Sequence, residues 1–278
     1  MSEILRVDKV NYKYDGKFQA LSNVSATFHK GEIVAVLGGN GAGKSTFFLC
    51  CNGVLHPQSG KIFLHGMEVA KSKKDAYSLR QAVGLVFQDS ESQIIASSVE
   101  SEVSFGPMNL KLAAQEVASR VDYALSQMNL QEFRDYAPHY LSGGEKRRVG
   151  IAGILAMRPE ILLLDEPTTS LDPCNVDALE NTLHMLNSEG MAIVISTHDV
   201  NFAYKIAKRA IVFAKGEIIA DGEVGEVFAS QDVLVKAGLK KPLLYEAYEH
   251  IKGSNAKGSL GMAPRTIEEF REMVDITT

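Results

Sequence analysis

A glycine-rich segment carries the clearest chemistry in this chain. Residues 38–45, with the sequence GGNGAGKS, fit the phosphate-binding pattern G-x-x-x-x-G-K-[ST]. Glycines let a backbone wrap around an anion, and consecutive amides form a nest for phosphate oxygens. The helix-like run that begins at Lys44 adds a favourable N-terminal dipole. In this pattern Lys44 reaches the β- and γ-phosphates of a nucleotide and Ser45 holds Mg²⁺.

The apolar run at residues 33–37 predicts a buried parallel strand directly before the phosphate loop. Two carboxylates follow a second apolar run. Residues 161–164 are Ile-Leu-Leu-Leu, and Asp165 and Glu166 come directly after them. A buried parallel strand delivers such acids to the sheet edge where ligands of open α/β sheets bind. Asp165 is expected to support Mg²⁺, and Glu166 to polarise an attacking water as a general base. The alternative for Glu166 is a salt-bridged carboxylate beside the metal site.

A third motif decides between families of phosphate-loop proteins. Residues 141–145, Leu-Ser-Gly-Gly-Glu, precede an amphipathic run at 146–157, which predicts a helix whose N-terminus presents amides and a hydroxyl to an anion. Many phosphate-loop proteins lack this motif. Together with the phosphate loop, it resembles the ATP-binding-cassette (ABC) ATPases.

The resemblance extends over about residues 3–230, with further motifs in the family's order. Gln88 resembles the glutamine that links the Mg²⁺ site to a helical subdomain, and residues 170–172 resemble the D-loop, which contacts the opposite subunit. His198 looks like the switch histidine at the γ-phosphate, although a lone histidine is more often structural. Tyr14 resembles the aromatic residue that stacks on adenine, with Tyr12 as its competitor.

The resemblance implies three sets of site residues, with ATP and Mg²⁺ as cofactors. The catalytic set is Lys44, Gln88, Glu166 and His198. The Mg²⁺ set is Ser45, Gln88 and Asp165. The nucleotide-binding set is Tyr14, Gly38, Gly39, Asn40, Gly41, Ala42, Gly43, Lys44, Ser45, Thr46, Gln88, Ser142, Gly143, Gly144, Glu145, Asp172 and His198.

The implied fold is α/β: a P-loop NTPase (RecA-like) core with an antiparallel β subdomain and a helical subdomain at about residues 88–158. The ATPase domain is expected at 1–230, and 231–278 form a C-terminal extension. Hydrophobic alternation predicts strands near 4–14 and 24–28, and helical spacing predicts a helix at 113–128. The capping-box spacing of Thr266 and Glu269 predicts a last helix, which either docks on its own domain or makes a dimer contact.

Three segments narrow the resemblance to the ATPases of energy-coupling-factor importers, which take up cobalt, nickel or vitamins. They are residues 87–93, 99–107 and 147–153. Residues 88–110 would face the membrane partner, with Gln93 where that subfamily has a coupling-helix glutamine. Cobalt or nickel is the first expectation for the solute and a vitamin the second.

Composition limits the possible partners. The chain has 278 residues, 45% of them hydrophobic, and a formal net charge of −5, so it is globular and bulk charge does not favour nucleic acid. No stretch offers the roughly 20 apolar residues of a spanning helix. The resemblance then implies a peripheral ATPase on the cytoplasmic face of the cell membrane, bound to integral importer subunits. It acts as a homodimer or as a heterodimer with a paralogous ATPase. A soluble non-transport ABC ATPase and a P-loop kinase are the rivals.

Two weaker patterns receive structural interpretations. Cys50 and Cys51, on the helix after the phosphate loop, are expected to pack in the core rather than to serve redox chemistry. The basic run Lys146-Arg147-Arg148 is expected to form a solvated helix face rather than a second nucleotide contact.

Overall fold

The computed structural model describes residues 2–70, 72–89, 94–169, 171–253 and 263–277. The strands are β1 Glu3–Tyr14, β2 Phe18–His29, β3 Ile33–Leu37, β4 Ser59–Leu64, β5 Met67–Glu68, β6 Val83–Val86, β7 Ile161–Asp165, β8 Ala192–Thr197, β9 Arg209–Ala214 and β10 Glu217–Glu223. The helices are α1 Lys44–Cys51, α2 Lys73–Ala82, α3 Val99–Asn109, α4 Ala114–Gln127, α5 Gly143–Leu155, α6 Pro173–Ser188, α7 Val200–Ile206, α8 Val224–Ala229, α9 Gln231–Ala237, α10 Leu243–Gly253 and α11 Ile267–Thr277.

The central sheet has the strand order β10-β9-β3-β8-β7-β6 within the described residues. Strands β9, β3, β8, β7 and β6 run parallel, and β10 is an antiparallel edge strand joined to β9 by a hairpin. Every residue of β3, β7 and β8 is buried, as expected for parallel strands covered on both faces, which explains their uninterrupted apolar runs. The carboxyl ends of these strands meet at one edge.

The two faces of this sheet border different cores. Ile33, Ala35 and Leu37 of β3 pack with α3 to α7 on one face, while Val34 and Val36 pack on the other with α1 and the second sheet. That second sheet is antiparallel, with the order β2-β1-β4-β5. The fold class implied by the resemblance is therefore confirmed.

The helical character expected near 88–158 is found in α3, α4 and α5, which pack against one another. Helix α5 also contacts β6, so it connects the helical part with the edge of the central sheet. The interpretation of the sequence did not include α2 or β6. The four residues of β6, Val-Gly-Leu-Val, are too few for a periodicity signal.

The segment after residue 230 packs on the rest of the chain. Tyr245 of α10 contacts Tyr204 of α7 with ring centroids 5.7 Å apart. Arg265, just before α11, donates to Ala207 O at 2.9 Å and to Glu223 Oε1 at 2.7 Å. These contacts agree with docking of the last helix on its own chain; its role in a dimer and the domain boundaries stay predictions.

Candidate nucleotide site

The phosphate loop joins the carboxyl end of β3 to α1, and its backbone requires glycine at two positions. Gly38 has φ +143°, and a Cβ there would lie 2.4 Å from the carbonyl oxygen of Phe213. Gly43 has φ +109°, and its Cβ would lie 2.7 Å from the carbonyl oxygen of Ala20. Both the left-handed backbone and the close approach exclude a side chain. The loop therefore fits tightly between strands of both sheets.

Lys44 lies inside this loop. Its Nζ donates to Gly38 O at 2.7 Å and to Gly39 O at 3.3 Å, and the residue is only 6% exposed. Burial lowers the pKa of Lys44, while the carboxylates of Glu166 and Asp165 act in the opposite direction. A buried ammonium with anionic neighbours is suited to bind phosphate oxygens, which offer it strong charge-assisted hydrogen bonds.

Asp165 and Glu166 lie at the carboxyl end of β7, both 7% exposed. Asp165 pairs with Ser196 of β8 in the parallel ladder, and Ser196 Oγ donates to Asp165 Oδ1. Glu166 has a left-handed backbone, φ +47°, and its amide donates to Ser196 O at 2.9 Å. This turn sends its carboxylate toward the phosphate loop, where Oε1 lies 3.9 Å from Lys44 Nζ.

His198 completes a chain of charged and polar groups. Its Nδ1 lies 2.8 Å from Glu166 Oε2, so an N–H at this nitrogen donates to the carboxylate. The His198 side chain is 66% exposed, so the ring faces solvent rather than the core. Lys44, Glu166 and His198, far apart in the sequence, thus form one cluster in which Glu166 contacts both of the others.

Tyr14 borders the same loop from the antiparallel sheet. Its hydroxyl shares a hydrogen bond of 3.2 Å with Thr46 Oγ1 on α1, and 38% of the residue is exposed. Tyr12 lies behind it, edge to face, with the ring centroids 5.0 Å apart. Tyr14 is the outer of the two rings, and its role at the adenine stays a prediction.

Ser142 caps helix α5 and is exposed. Its Oγ accepts from the backbone N–H of Glu145 at 3.3 Å, and the Glu145 carboxylate accepts from the Ser142 amide at 2.7 Å. The Ser142 hydroxyl also lies 2.7 Å from Glu145 Oε2, and these hydrogen bonds lower the pKa of Glu145. Among the described residues, no hydrogen bond or ion pair joins Ser142 to the Lys44 cluster of its own chain.

The remaining expected residues have separate positions. Gln88 is exposed just beyond β6, next to the strand that carries Asp165. Asp172 caps α6 by accepting from the amide of Asn175 at 2.9 Å, a hydrogen bond that lowers the pKa of the aspartate. Gln93 and Ser170 fall outside the described residues.

The donor chemistry of the expected metal ligands fits Mg²⁺. Ser45 offers a hydroxyl, Gln88 a carboxamide and Asp165 a carboxylate, all of them the hard oxygen ligands that this ion prefers. Magnesium is commonly bound through one or two carboxylates together with substrate phosphates. A site with one carboxylate beside a phosphate loop matches that coordination pattern.

Two expectations about the other side chains had different outcomes. Cys50 and Cys51 are fully buried, as expected for core packing. The solvated face expected for 146–148 is wrong for Arg147, which is only 5% exposed. Its guanidinium lies against the backbone after β6 and β7, contacts that a local charge pattern does not reveal.

Comparison with known proteins places this geometry in a family. The ABC transporter family model matches residues 21–169. The chain therefore belongs to the ABC transporter ATP-binding proteins, and it is an ATPase.

Individual relatives narrow the type. The chain is 43% identical to the cobalt import ATP-binding protein CbiO of Rhodobacter capsulatus, covering 96% of this chain and 95% of the relative. It is 41% identical to the energy-coupling factor transporter ATP-binding protein EcfA2 of Methanospirillum hungatei, covering 99% and 69%. The solved structure of cbiO1 from Clostridium perfringens, part of the transporter complex cbiONQ, superposes with a TM-score of 0.77 at 39% identity, covering 90% of this chain and all of that one. The chain is thus an ATP-binding subunit of the energy-coupling-factor type.

Proposed function

We propose that this subunit hydrolyses ATP to power the uptake of cobalt or nickel ions through an energy-coupling-factor importer. The hydrolytic part rests on one observation, the Lys44–Glu166–His198 cluster at the phosphate loop. The metal cargo is supported by the cobalt import ATP-binding protein among the relatives. Uptake of a vitamin through the same type of importer is the alternative.

Each member of the cluster has a distinct task. Lys44 binds the β- and γ-phosphates by exchanging backbone carbonyl partners for phosphate oxygens. Glu166 accepts a proton at its carboxylate from the water that attacks the γ-phosphorus in line, and the released products are ADP and phosphate. His198 orients that carboxylate from its other side through the 2.8 Å contact.

Magnesium would be held by Ser45, Gln88 and Asp165. When bound, it neutralises charge on the phosphate oxygens. Ser196 keeps the Asp165 carboxylate in place through its hydroxyl, so the ligand is oriented before a metal arrives. Carboxylates that bind metal ions are typically held in place by a hydrogen bond of this kind.

The nucleotide site is completed by a second chain. Ser142 and Gly143 are exposed at the tip of α5, and Ser142 makes no described contact with its own Lys44 cluster. Two ATP molecules would be bound between the Lys44 loop of one chain and the Ser142 tip of the other, in a homodimer or a heterodimer with a paralogous ATPase. The γ-phosphate then stabilises the closed dimer, and hydrolysis removes that contact.

This dimer has a direct test. Glu166→Gln, with Mg-ATP, should elute from a size-exclusion column as a dimer, because its ATP hydrolysis is at least about a hundredfold slower. A monomeric variant that hydrolyses ATP at the wild-type rate would refute the arrangement.

Membrane subunits would dock beside the helical part. A groove of about 620 Å³ is lined by residues of α2 and α3, including Tyr77 and Phe105, and by Met157 just beyond α5. Phe105 is 53% and Met108 64% exposed, and clustered exposed apolar side chains mark interaction surfaces. In the described ranges, no helix has the length and apolar character needed to span a bilayer. A peripheral position on the cytoplasmic face, bound to integral importer subunits, is the corresponding proposal.

Affinity purification from membranes tests the partner and the cargo together. The tagged chain should bring along integral subunits, and vesicles containing that complex should accumulate Co²⁺ or Ni²⁺ when ATP is supplied. Phe105→Asp should lose the membrane subunits, whereas Val235→Asp, at an apolar residue on α9 that is even more exposed, should keep them. Accumulation of a vitamin would establish the alternative, and purification without any integral subunit would favour a soluble ABC ATPase.

A further inference from the structure

Arg147 is a buried cation outside the expected catalytic set. It lies in the second turn of α5 with 5% of its surface exposed. Burying a charge is costly unless it is paired and hydrogen-bonded. Its Nη2 donates to Gln88 O at 2.9 Å and to Thr169 O at 3.4 Å, and its Nη1 donates to Phe87 O at 3.5 Å. Arg147 is therefore satisfied by backbone oxygens of two separate segments.

These two segments carry catalytic residues. Residues 87 and 88 follow β6, and Thr169 lies three residues after Glu166, which follows β7. Strands β6 and β7 are neighbours in the sheet, so their carboxyl ends are adjacent. Burial lowers the pKa of Arg147, while the carboxylates of Asp89 and Asp165 act in the opposite direction. One guanidinium thus connects α5 with both loops at the candidate metal site.

The tip of α5 has a second contact with the same chain. A Cβ at Gly144 would lie 3.0 Å from Cγ of Asn175, so the helix backbone lies directly against that carboxamide. Asn175 Nδ2 in turn donates to Asp172 Oδ2 at 2.7 Å. The Ser142 tip is therefore fixed relative to the start of α6 as well as to the ends of β6 and β7.

We propose that Arg147 is a positioning residue that fixes the Ser142 tip of α5 relative to the Gln88 and Glu166 loops of its own chain. In the dimer that tip completes the nucleotide site of the partner, so Arg147 couples the two sites. The inference rests on the proposed dimer. Arginine suits the task because its planar guanidinium has several donors in a fixed geometry, which a lysine cannot reproduce.

The test compares Arg147→Met with a matched arginine. Arg120, on α4, donates to Met157 O at 3.2 Å and forms an ion pair with Glu116 at 2.8 Å. Arg120→Met therefore removes an arginine–carbonyl contact from the same helical part. Its acceptor, on Met157, follows the C-terminal end of α5, away from the Ser142 tip. Both changes are made in the Glu166→Gln background to measure ATP-driven dimerisation, and in the wild type to measure turnover.

We expect Arg147→Met to weaken ATP-driven dimerisation at least tenfold and to lower kcat at least tenfold. The KM for ATP and the nucleotide affinity of the monomer should stay within twofold, because Lys44 and its loop are untouched. Arg120→Met should change each quantity by less than twofold. Arg147→Lys keeps a buried cation but lacks the planar set of guanidinium donors. It should therefore recover part of the dimerisation and turnover that Arg147→Met loses.

The possible results separate this role from the proposed function. If Glu166→Gln alone fails to dimerise, the dimer is refuted and the coupling role with it. If Glu166→Gln dimerises and the Arg147→Met double variant does so equally well, the coupling role alone is refuted. If Arg147→Met weakens nucleotide binding by the monomer as much as it weakens dimerisation, the coupling role is also refuted. If Arg147→Met unfolds at a lower temperature than Arg120→Met, the test uses Arg147→Lys instead. Dimerisation of Arg147→Lys at the wild-type level would then count against the proposal.

Discussion

Replacing Glu166 by glutamine isolates the charge of one carboxylate. The Glu166 side chain is only 9% exposed, with Oε1 3.9 Å from Lys44 Nζ and Oε2 2.8 Å from His198 Nδ1. Glutamine has nearly the same shape and can still bond to His198, so the fold should persist. It cannot accept the proton of the attacking water. Since a positioned general base contributes roughly 10²- to 10⁴-fold, kcat should fall by that factor, which corresponds to about 3–5 kcal/mol of barrier.

The assay is steady-state phosphate release with saturating Mg-ATP, accompanied by nucleotide titration of the same preparation. A matched control lies at the opposite end of the same strand. Glu160 precedes β7, is exposed, and its Oε1 lies 2.9 Å from His65 Nε2. Glu160→Gln therefore changes another glutamate–histidine pair without touching the phosphate loop, and it should keep wild-type turnover. A Glu166→Gln variant with kcat within tenfold of wild type would refute the general-base assignment.

Three further perturbations test the loop and the core. Lys44→Ala should weaken ATP binding by about 10- to 100-fold, the worth of a hydrogen bond to a charged group, and unchanged affinity by calorimetry would contradict its phosphate role. Gly38→Ala should lower the free energy of unfolding by at least about 2 kcal/mol, because the cost of a strained φ and the cost of a steric overlap add. Gly16→Ala, with open space around its Cβ, should lower it by only about 1 kcal/mol. Equal losses in denaturant titrations would contradict the overlap at Gly38. Iodoacetamide should modify the exposed Cys174 in the native protein but not Cys50, because burial raises the pKa of Cys50 to about 12; rapid native labelling of Cys50, located by peptide mass, would show that α1 opens.

The parts of the site that could be predicted are those written in consecutive residues. The apolar run 33–37 followed by the glycine-rich loop predicts β3 and the start of α1, and both are where expected. The run 161–164 predicts β7 in the same way and places Asp165 and Glu166 at its carboxyl end. The sequence signal for these strands lies in consecutive residues, because a parallel strand covered on both faces needs an unbroken apolar segment.

The parts that could not be predicted depend on contacts between distant segments. Arg147 lies between Lys146 and Arg148, and charge alone suggests that all three face solvent. Its burial results from acceptors 59 and 22 residues away, on Gln88 and Thr169. The hydroxyl of Ser196 on Asp165 is likewise a consequence of β7–β8 register, which no periodicity in either strand specifies.

Strand order then explains why the cluster forms at all. Strand β8 lies between β3 and β7, so His198, just beyond β8, is flanked by the loops that carry Lys44 and Glu166. The left-handed backbone of Glu166 turns its side chain across the end of β8 instead of along its own strand, which brings the carboxylate to both neighbours. A non-glycine residue at positive φ carries a cost, which the surrounding structure has to offset for Glu166. The site thus depends on a parallel order of three strands and on one strained residue, rather than on any single motif.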